Sequence, residues 1–277
     1  MTATPPPPEL ADFTPETFSD GVLDRPVYWP SIPADVTSPA VVLVCHEMPG
    51  MTPEFLAFIA HMRAAGLYPV IPHLFGEVGR PMRAGYFVKS ALKICIAKEF
   101  QVLAKNHESP IASFLRALAR AACERFKVER LGAVGMCFTG NFALGLLVEP
   151  KVVRAVASQP SLPFTFTPGS TKAIHLDDAT VQVIAKRLAD PEDEAEAMAL
   201  RFSRDMLCPR ARFDTLAKTF GENITLREID SGRGNPHGLS FRAHSVLTVD
   251  LVDRAGHPTY EARRDVVAFL LEGLAVG

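Results

Sequence analysis

Four side chains have the chemistry of acyl transfer and follow strand-like runs: Glu47, Cys137, Asp205 and His237. Cys137 lies between the apolar run Leu131-Gly132-Ala133-Val134-Gly135-Met136 and Phe138-Thr139-Gly140-Asn141-Phe142-Ala143-Leu144, which together read as strand, sharp turn and helix. In a Gly-x-nucleophile-x-Gly elbow, small flanking residues let the chain turn tightly enough to lift one reactive side chain above the sheet. That side chain then sits at the positive end of the following helix. The sequence departs from this pattern at Thr139, where a second glycine is expected, and Gly140 comes one place later. The plain alternative is a buried structural thiol, since free cysteine is among the most buried residue types.

Each role has a physical requirement behind it. A free thiol with a pKa of ~8.5 is only slightly ionised at neutral pH, so a base that takes its proton, or a helix N-terminus, raises its reactivity. His237 is the expected base and Asp205 the carboxylate that fixes the tautomer and orientation of its imidazole. The backbone N–H groups of Phe138 and Met48 are the expected oxyanion donors, one after the nucleophile and one in the loop after an earlier strand. His244 and His257 also follow Asp205. His237 is preferred because His244 leads away from the glycine-rich loop and His257 precedes Pro258, where a final helix starts. Asp177, Asp178 and Asp190 border helix-like or acidic stretches and suit capping or solvation better. Asp205 could itself cap a turn, and Glu47 could be a solvated loop carboxylate.

The elements that must position these groups follow from periodicity. Ala40–Cys45 is an unbroken apolar run, as in a strand buried on both faces, and runs into His46-Glu47-Met48-Pro49-Gly50. Thr52 can cap a helix with Pro53 at its first position, Phe55, Phe58, Ile59 and Met62 recur at helical spacing, and Gly66 ends it. Residues 67–71 form the next strand, completing a βαβ unit. A weaker strand is expected at 22–29, a glycine- and arginine-containing loop at 76–85, a helix at 86–103, a loop at 105–110 and a helix begun by Ser109-Pro110. Further strands are expected at 152–157, 197–203 and 224–229, with helices at 178–189, around Phe213 to Phe220, and at 259–274. Residues 190–196 read as a solvated acidic patch.

Composition narrows the functional classes. With 48% hydrophobic residues in 277, the chain can bury a sizeable core, while its apolar runs are too short to span a membrane. A net charge of -2, from 29 basic and 31 acidic residues, gives no footprint for nucleic acid or an anionic membrane, so a small-molecule partner is expected. The five cysteines are scattered, without zinc spacing or disulfide density, which suggests a reducing compartment. Residues 1–20 read as a proline-rich arm without the pattern of a signal peptide, so a cytoplasmic location is expected. Residues 21–277 are expected to form one α/β domain, because strand-like and helix-like segments alternate without a break.

The combination of Val44-Cys45-His46-Glu47-Met48-Pro49-Gly50, Ala65-Gly66-Leu67-Tyr68-Pro69-Val70-Ile71-Pro72, Gly135-Met136-Cys137, Arg204-Asp205 before Pro209, and Pro236-His237-Gly238 resembles the dienelactone hydrolase family. The order nucleophile, acid, histidine is also that of the α/β-hydrolase triad. The resemblance implies an α/β-hydrolase fold, a mostly parallel central sheet with helices on both faces, and a triad of Cys137, Asp205 and His237. It places Glu47 close to the thiol, where a carboxylate could hold the thiol proton until substrate binds. It further implies hydrolysis of an ester or lactone through a thioester, with no metal or organic cofactor. Family members that bind a lactone carboxylate use arginines near the site, for which Arg83 and Arg242 are the candidates here. The chain departs from the family at Thr139, in the long region 76–130 and at 190–196. A broad carboxylesterase and a non-catalytic binding protein of the same fold are the alternatives.

Overall fold

The computed structural model of the chain describes residues 7–83, 85–87, 90, 109–162 and 168–275. The helix expected at 86–103 and the loop at 105–110 fall largely outside them.

Eight strands form one sheet in the order β1-β2-β4-β3-β5-β6-β7-β8. They are β1 (Phe13–Ser19), β2 (Asp24–Pro30), β3 (Ala40–Cys45), β4 (Leu67–Pro72), β5 (Leu131–Met136), β6 (Val152–Ser158), β7 (Glu196–Phe202) and β8 (Ile224–Ile229). From β4 to β8 every pairing is parallel, whereas β1 and β2 add an antiparallel edge. The central strands are wholly buried because helices cover both faces, which is why they read as continuous apolar runs. The pleat divides β3 cleanly. Val41, Leu43 and Cys45 face a core completed by α2 (Pro110–Phe126), α5 (Asp178–Ala189) and α6 (Arg210–Phe220), through Phe114, Leu118, Ile184 and Leu216; the short helices α3 (Gly140–Gly145) and α4 (Pro168–Lys172) lie between α2 and α5 in the chain. Val42 and Val44 face α1 (Pro53–Ala64) and α7 (Pro258–Leu274), through Phe55, Ile59, Val266 and Leu270.

Local signals explain the helix starts. The Thr52 hydroxyl accepts from the Phe55 N–H at 3.3 Å with Pro53 in the first turn, and Ser109 caps α2 in the same way ahead of Pro110. Asp177 caps α5 through the Thr180 N–H at 2.9 Å.

One expectation needs correction. The stretch read as an arm contains β1, which pairs with β2 along its whole length; as the edge strand it tolerates Pro15, whose missing N–H costs no ladder bond on the open side. The acidic patch at 190–196 is solvated as expected, with Asp190, Glu192, Glu194 and Glu196 exposed, and it also carries ion pairs: Asp193 with Arg187 at 2.7 Å, Glu196 with Arg154 at 2.8 Å, and Glu194 with Arg130. No helix among the described residues is long and apolar enough to cross a membrane.

Candidate active site

Five neighbouring strands deliver the site at their carboxyl ends, where the open parallel sheet leaves its crevice. Glu47 follows β3, Cys137 follows β5, Gln159 follows β6, Asp205 follows β7, and the long loop after β8 brings in His244.

Cys137 has φ 52°, a left-handed conformation that a non-glycine residue adopts only when its surroundings impose it. Those surroundings are closely packed. A Cβ at Gly135 would lie 2.3 Å from the Thr139 carbonyl oxygen, and one at Gly140 would lie 2.8 Å from Pro160 Cα. Gly140 therefore makes the close approach that the elbow needs on its helical side, one place later than the pattern expects. The structure also gives Thr139 a use. Its hydroxyl accepts from the Met136 N–H at 2.9 Å and faces the carbonyls of Cys45 at 3.0 Å, Met136 at 3.0 Å and His46 at 3.2 Å, pinning the elbow to the end of β3. Thr139→Val keeps the shape and removes these bonds, leaving a buried N–H unpaired. It is expected to cost about 1–3 kcal/mol of unfolding free energy, measured by urea denaturation.

The histidine beside the acid is His244. Its Nδ1 donates to Asp205 Oδ2 at 2.7 Å, while Asp205 Oδ1 accepts from the Leu207 and Cys208 N–H groups at 2.9 and 3.1 Å. The Cys137 Sγ, a Glu47 carboxylate oxygen and a ring nitrogen of His244 lie within 4.8 Å of one another. With Nδ1 on Asp205, the buried Nε2 is the nitrogen left for the thiol. Burial by itself lowers the His244 pKa, but charge at Cys137 and the hydrogen bond to Asp205 outweigh it and raise the value well above 6.5.

His237 does not reach this cluster. It is exposed in the Asn235-Pro236-His237-Gly238 turn, with its ring 5.7 Å from that of His257, which in turn caps α7. The histidine that meets Asp205 thus lies seven residues beyond the one expected, for a geometric reason. The loop after β8 first turns outward at its glycines and only then folds in as the buried run Ser245-Val246-Leu247-Thr248. The Asp250 carboxylate holds that return by accepting from the His244 and Ser245 N–H groups at 2.8 and 2.9 Å. A sequence signal was present: His244 comes just before the apolar pair Val246-Leu247, whereas His237 stands among turn formers.

Glu47 is buried, and both of its oxygens are engaged. Oε1 accepts from the Thr248 hydroxyl, and Oε2 accepts from the Ser245 hydroxyl at 2.8 Å and Gln159 Nε2 at 3.2 Å. Burial raises the Glu47 pKa; these three donors and His244 work in the opposite direction without cancelling the rise. Neighbouring His46 is buried and neutral, its pKa pushed down to about 3 by desolvation. Its Nε2 accepts from the Leu74 N–H at 3.1 Å, which fixes the start of the loop bearing Glu47 and Met48.

Among the described cysteines only Cys137 stands beside a histidine of this kind. Burial pushes the Cys45 thiol up to about 12, Cys123 to about 11, and Cys208 higher still, which makes them poor nucleophiles. Glu47 accepts three hydrogen bonds and His244 Nδ1 is taken up by Asp205, so that a thiol, an imidazole and a carboxylate stand together at the strand ends. Met48 and Phe138, the expected oxyanion positions, are both buried, in the loop after β3 and directly after Cys137. Arg83 and Arg242 are exposed, and the Arg242 guanidinium lies 5.3 Å from the centre of the Phe241 ring.

The model of the dienelactone hydrolase family matches residues 29–246. Among solved structures, a Klebsiella pneumoniae protein named for the same family is similar over 94% of this chain and 99% of its own, with 14% identity and a TM-score of 0.62. A dienelactone hydrolase from Anabaena variabilis is similar over 95% of this chain and 98% of its own, with 13% identity and a TM-score of 0.59. An α/β serine hydrolase homologue from Coxiella burnetii covers 92% of this chain and 96% of its own, at 12% identity and a TM-score of 0.52. No curated protein matches the sequence. At these identities the structures speak for the fold, which is that of the α/β hydrolases.

Proposed function

The chain belongs to the dienelactone hydrolase family, and from that premise we propose that it hydrolyses a small ester or lactone through a thioester on Cys137. His244 serves as base and acid, and Asp205 orients the imidazole. The observation that carries this reading is the convergence of Cys137, His244 and Glu47 to within 4.8 Å, with His244 bonded to Asp205 at 2.7 Å.

The Cys137 thiol gives its proton to His244 Nε2, and the sulfur attacks the carbonyl carbon. The oxyanion so formed accepts hydrogen bonds from the Phe138 and Met48 N–H groups. Collapse breaks the C–O bond, and the leaving oxygen takes the proton from His244; in a lactone it stays tethered to the acyl group. His244 then takes a proton from water, whose oxygen attacks the thioester carbon. The second collapse releases the carboxylic acid and returns the proton to the sulfur. The imidazolium that forms twice is stabilised by Asp205, consistent with the raised His244 pKa.

Intact-protein mass spectrometry after brief mixing with a panel of activated esters and enol-lactones tests the reading. The expected result is an acyl adduct on the wild type that decays as product appears and is absent from Cys137→Ala. Turnover by Cys137→Ala, or a wild type that neither acylates nor turns over any panel member, would overturn it. Comparing lactones with open-chain esters separates lactonase from general carboxylesterase activity.

A further inference from the structure

The two largest side chains that are completely buried among the described residues are both arginines, Arg201 on β7 and Arg212 in the first turn of α6. A guanidinium is costly to bury unless carbonyls or carboxylates take up its donors. Here both arginines reach the loop that carries Asp205. Arg201 Nε donates to the Cys208 carbonyl at 2.9 Å and Nη2 to the Ser203 carbonyl at 3.2 Å, while Nη1 pairs with Glu228. Arg212 Nη1 donates to the Leu207 carbonyl at 3.2 Å and to the Pro160 carbonyl at 2.7 Å. Its Nη2 and Nε donate to the carbonyls of Ser170 and Ala173, in and just after α4, at 2.9 and 2.8 Å.

The peptide between Leu207 and Cys208 joins these contacts to the acid. Its carbonyl accepts from Arg212, and its N–H donates to Asp205 Oδ1 at 3.1 Å, with the Leu207 N–H on the same oxygen at 2.9 Å. A cation on the carbonyl polarises the peptide and strengthens the bond that its N–H makes. With Oδ1 held in this way, Oδ2 faces His244 Nδ1 at 2.7 Å. Arg212 also reaches the other half of the site. Pro160, whose carbonyl it holds, is the residue on which Gly140 packs, and the following Ser161 donates its N–H to the Cys137 carbonyl at 2.9 Å. One guanidinium therefore spans the turn behind the elbow and the loop of the acid.

We propose that Arg212, with Arg201 gripping the same loop, is a positioning residue for Asp205: it holds the Leu207–Cys208 peptide so that the carboxylate keeps the His244 proton on Nδ1 and leaves Nε2 toward Cys137. Its catalytic meaning rests on the hydrolytic reading above, but its first test needs no turnover. Nitrogen chemical shifts of His244, read through its carbon-bound protons in isotope-labelled protein and assigned by their loss in His244→Gln, identify the ring nitrogen that carries the proton. The proteins compared all carry Cys137→Ala, so that no thiol proton enters, and are read on the alkaline side of the imidazole titration with folding checked by circular dichroism. The proton is expected on Nδ1 in the parent and in part on Nε2 in Arg212→Met. Arg154→Met, which removes a buried arginine that holds the Val153 and Glu194 carbonyls instead, should leave it on Nδ1. With Cys137 in place, Arg212→Met is expected to lower kcat by about a hundredfold and to leave KM within about twofold, as for a catalytic group displaced by a remote change. A parent with its proton on Nε2, an unmoved proton or unchanged kcat in folded Arg212→Met, or an equal shift in Arg154→Met overturns the proposal. Should Arg212→Met not fold, Arg201→Lys puts one nitrogen where the guanidinium puts three on Ser203, Cys208 and Glu228, and an unmoved proton there is equally fatal. A wild type that forms no acyl adduct would overturn the hydrolytic reading while leaving the proton's position standing, and an unmoved proton beside a normal adduct would do the reverse.

Discussion

His244→Ala is expected to lower kcat/KM for ester or lactone hydrolysis by about three orders of magnitude, while His237→Ala leaves it within about twofold, since a positioned acid–base group supplies roughly 10²–10⁴ in rate. The contrast follows from geometry: His244 Nδ1 lies 2.7 Å from Asp205 Oδ2, whereas His237 is exposed beside His257. Without the imidazole the thiol has no proton acceptor and the leaving oxygen no donor. His244→Gln, which can still donate to Asp205, separates lost chemistry from a loosened acid loop and should be nearly as inactive as the alanine variant. The wild-type pH profile carries the same assignment. Burial lowers the His244 pKa, but the Cys137 charge and Asp205 raise it well above 6.5, so the one proton that passes between the Cys137 thiol and His244 is held by the pair beyond the usual imidazole range. The alkaline limb of kcat/KM, where that proton is lost, is therefore expected above pH 6.5; a limb at or below this value would argue against the pairing.

The second large effect is expected at the nucleophile. Cys137→Ala should reduce turnover by at least about four orders of magnitude, because removal of the attacking atom leaves only binding and oxyanion stabilisation. Steady-state hydrolysis of the best ester in the panel measures it. The substitution keeps Cβ, so the left-handed backbone at φ 52° carries the same strain and the fold should remain intact. Cys123→Ala is the matched control. Cys123 lies in α2, packed in the core with its thiol pushed up to about 11, and its replacement should leave kcat/KM unchanged within experimental error. Loss of activity in the control alone would move the nucleophile away from the elbow.

Much of the scaffold was legible because its signals act over a few residues. β3 spans the six apolar residues that periodicity marks, α1 starts at the Thr52-Pro53 cap, and α2 starts at Ser109-Pro110. The elbow was legible through Gly135 and Cys137, and its departure at Thr139 only became intelligible once the hydroxyl was seen bridging to Cys45 and His46. β1 was missed because its Thr-Pro-Glu-Thr-Phe-Ser run is polar on most positions, and its existence depends on pairing with β2 rather than on its own propensity. The acidic patch was legible as solvated, but not its ion pairs, because Arg130 and Arg154 lie well upstream in the chain.

Residue types and short-range spacing were enough to assign the alternating α/β architecture, the turn that carries Cys137, and the acidic groups that follow β3 and β7. They did not decide between His237 and His244, nor reveal what surrounds Glu47. Those questions turn on contacts such as Glu47 to Ser245 and to Thr248, which join residues 198 and 201 positions apart. Periodicity and capping report free energies stored within one or two turns of chain. The choice of histidine and the hydrogen bonds to Glu47 depend on how the loop after β8 closes over the sheet, which only packing of the whole chain determines.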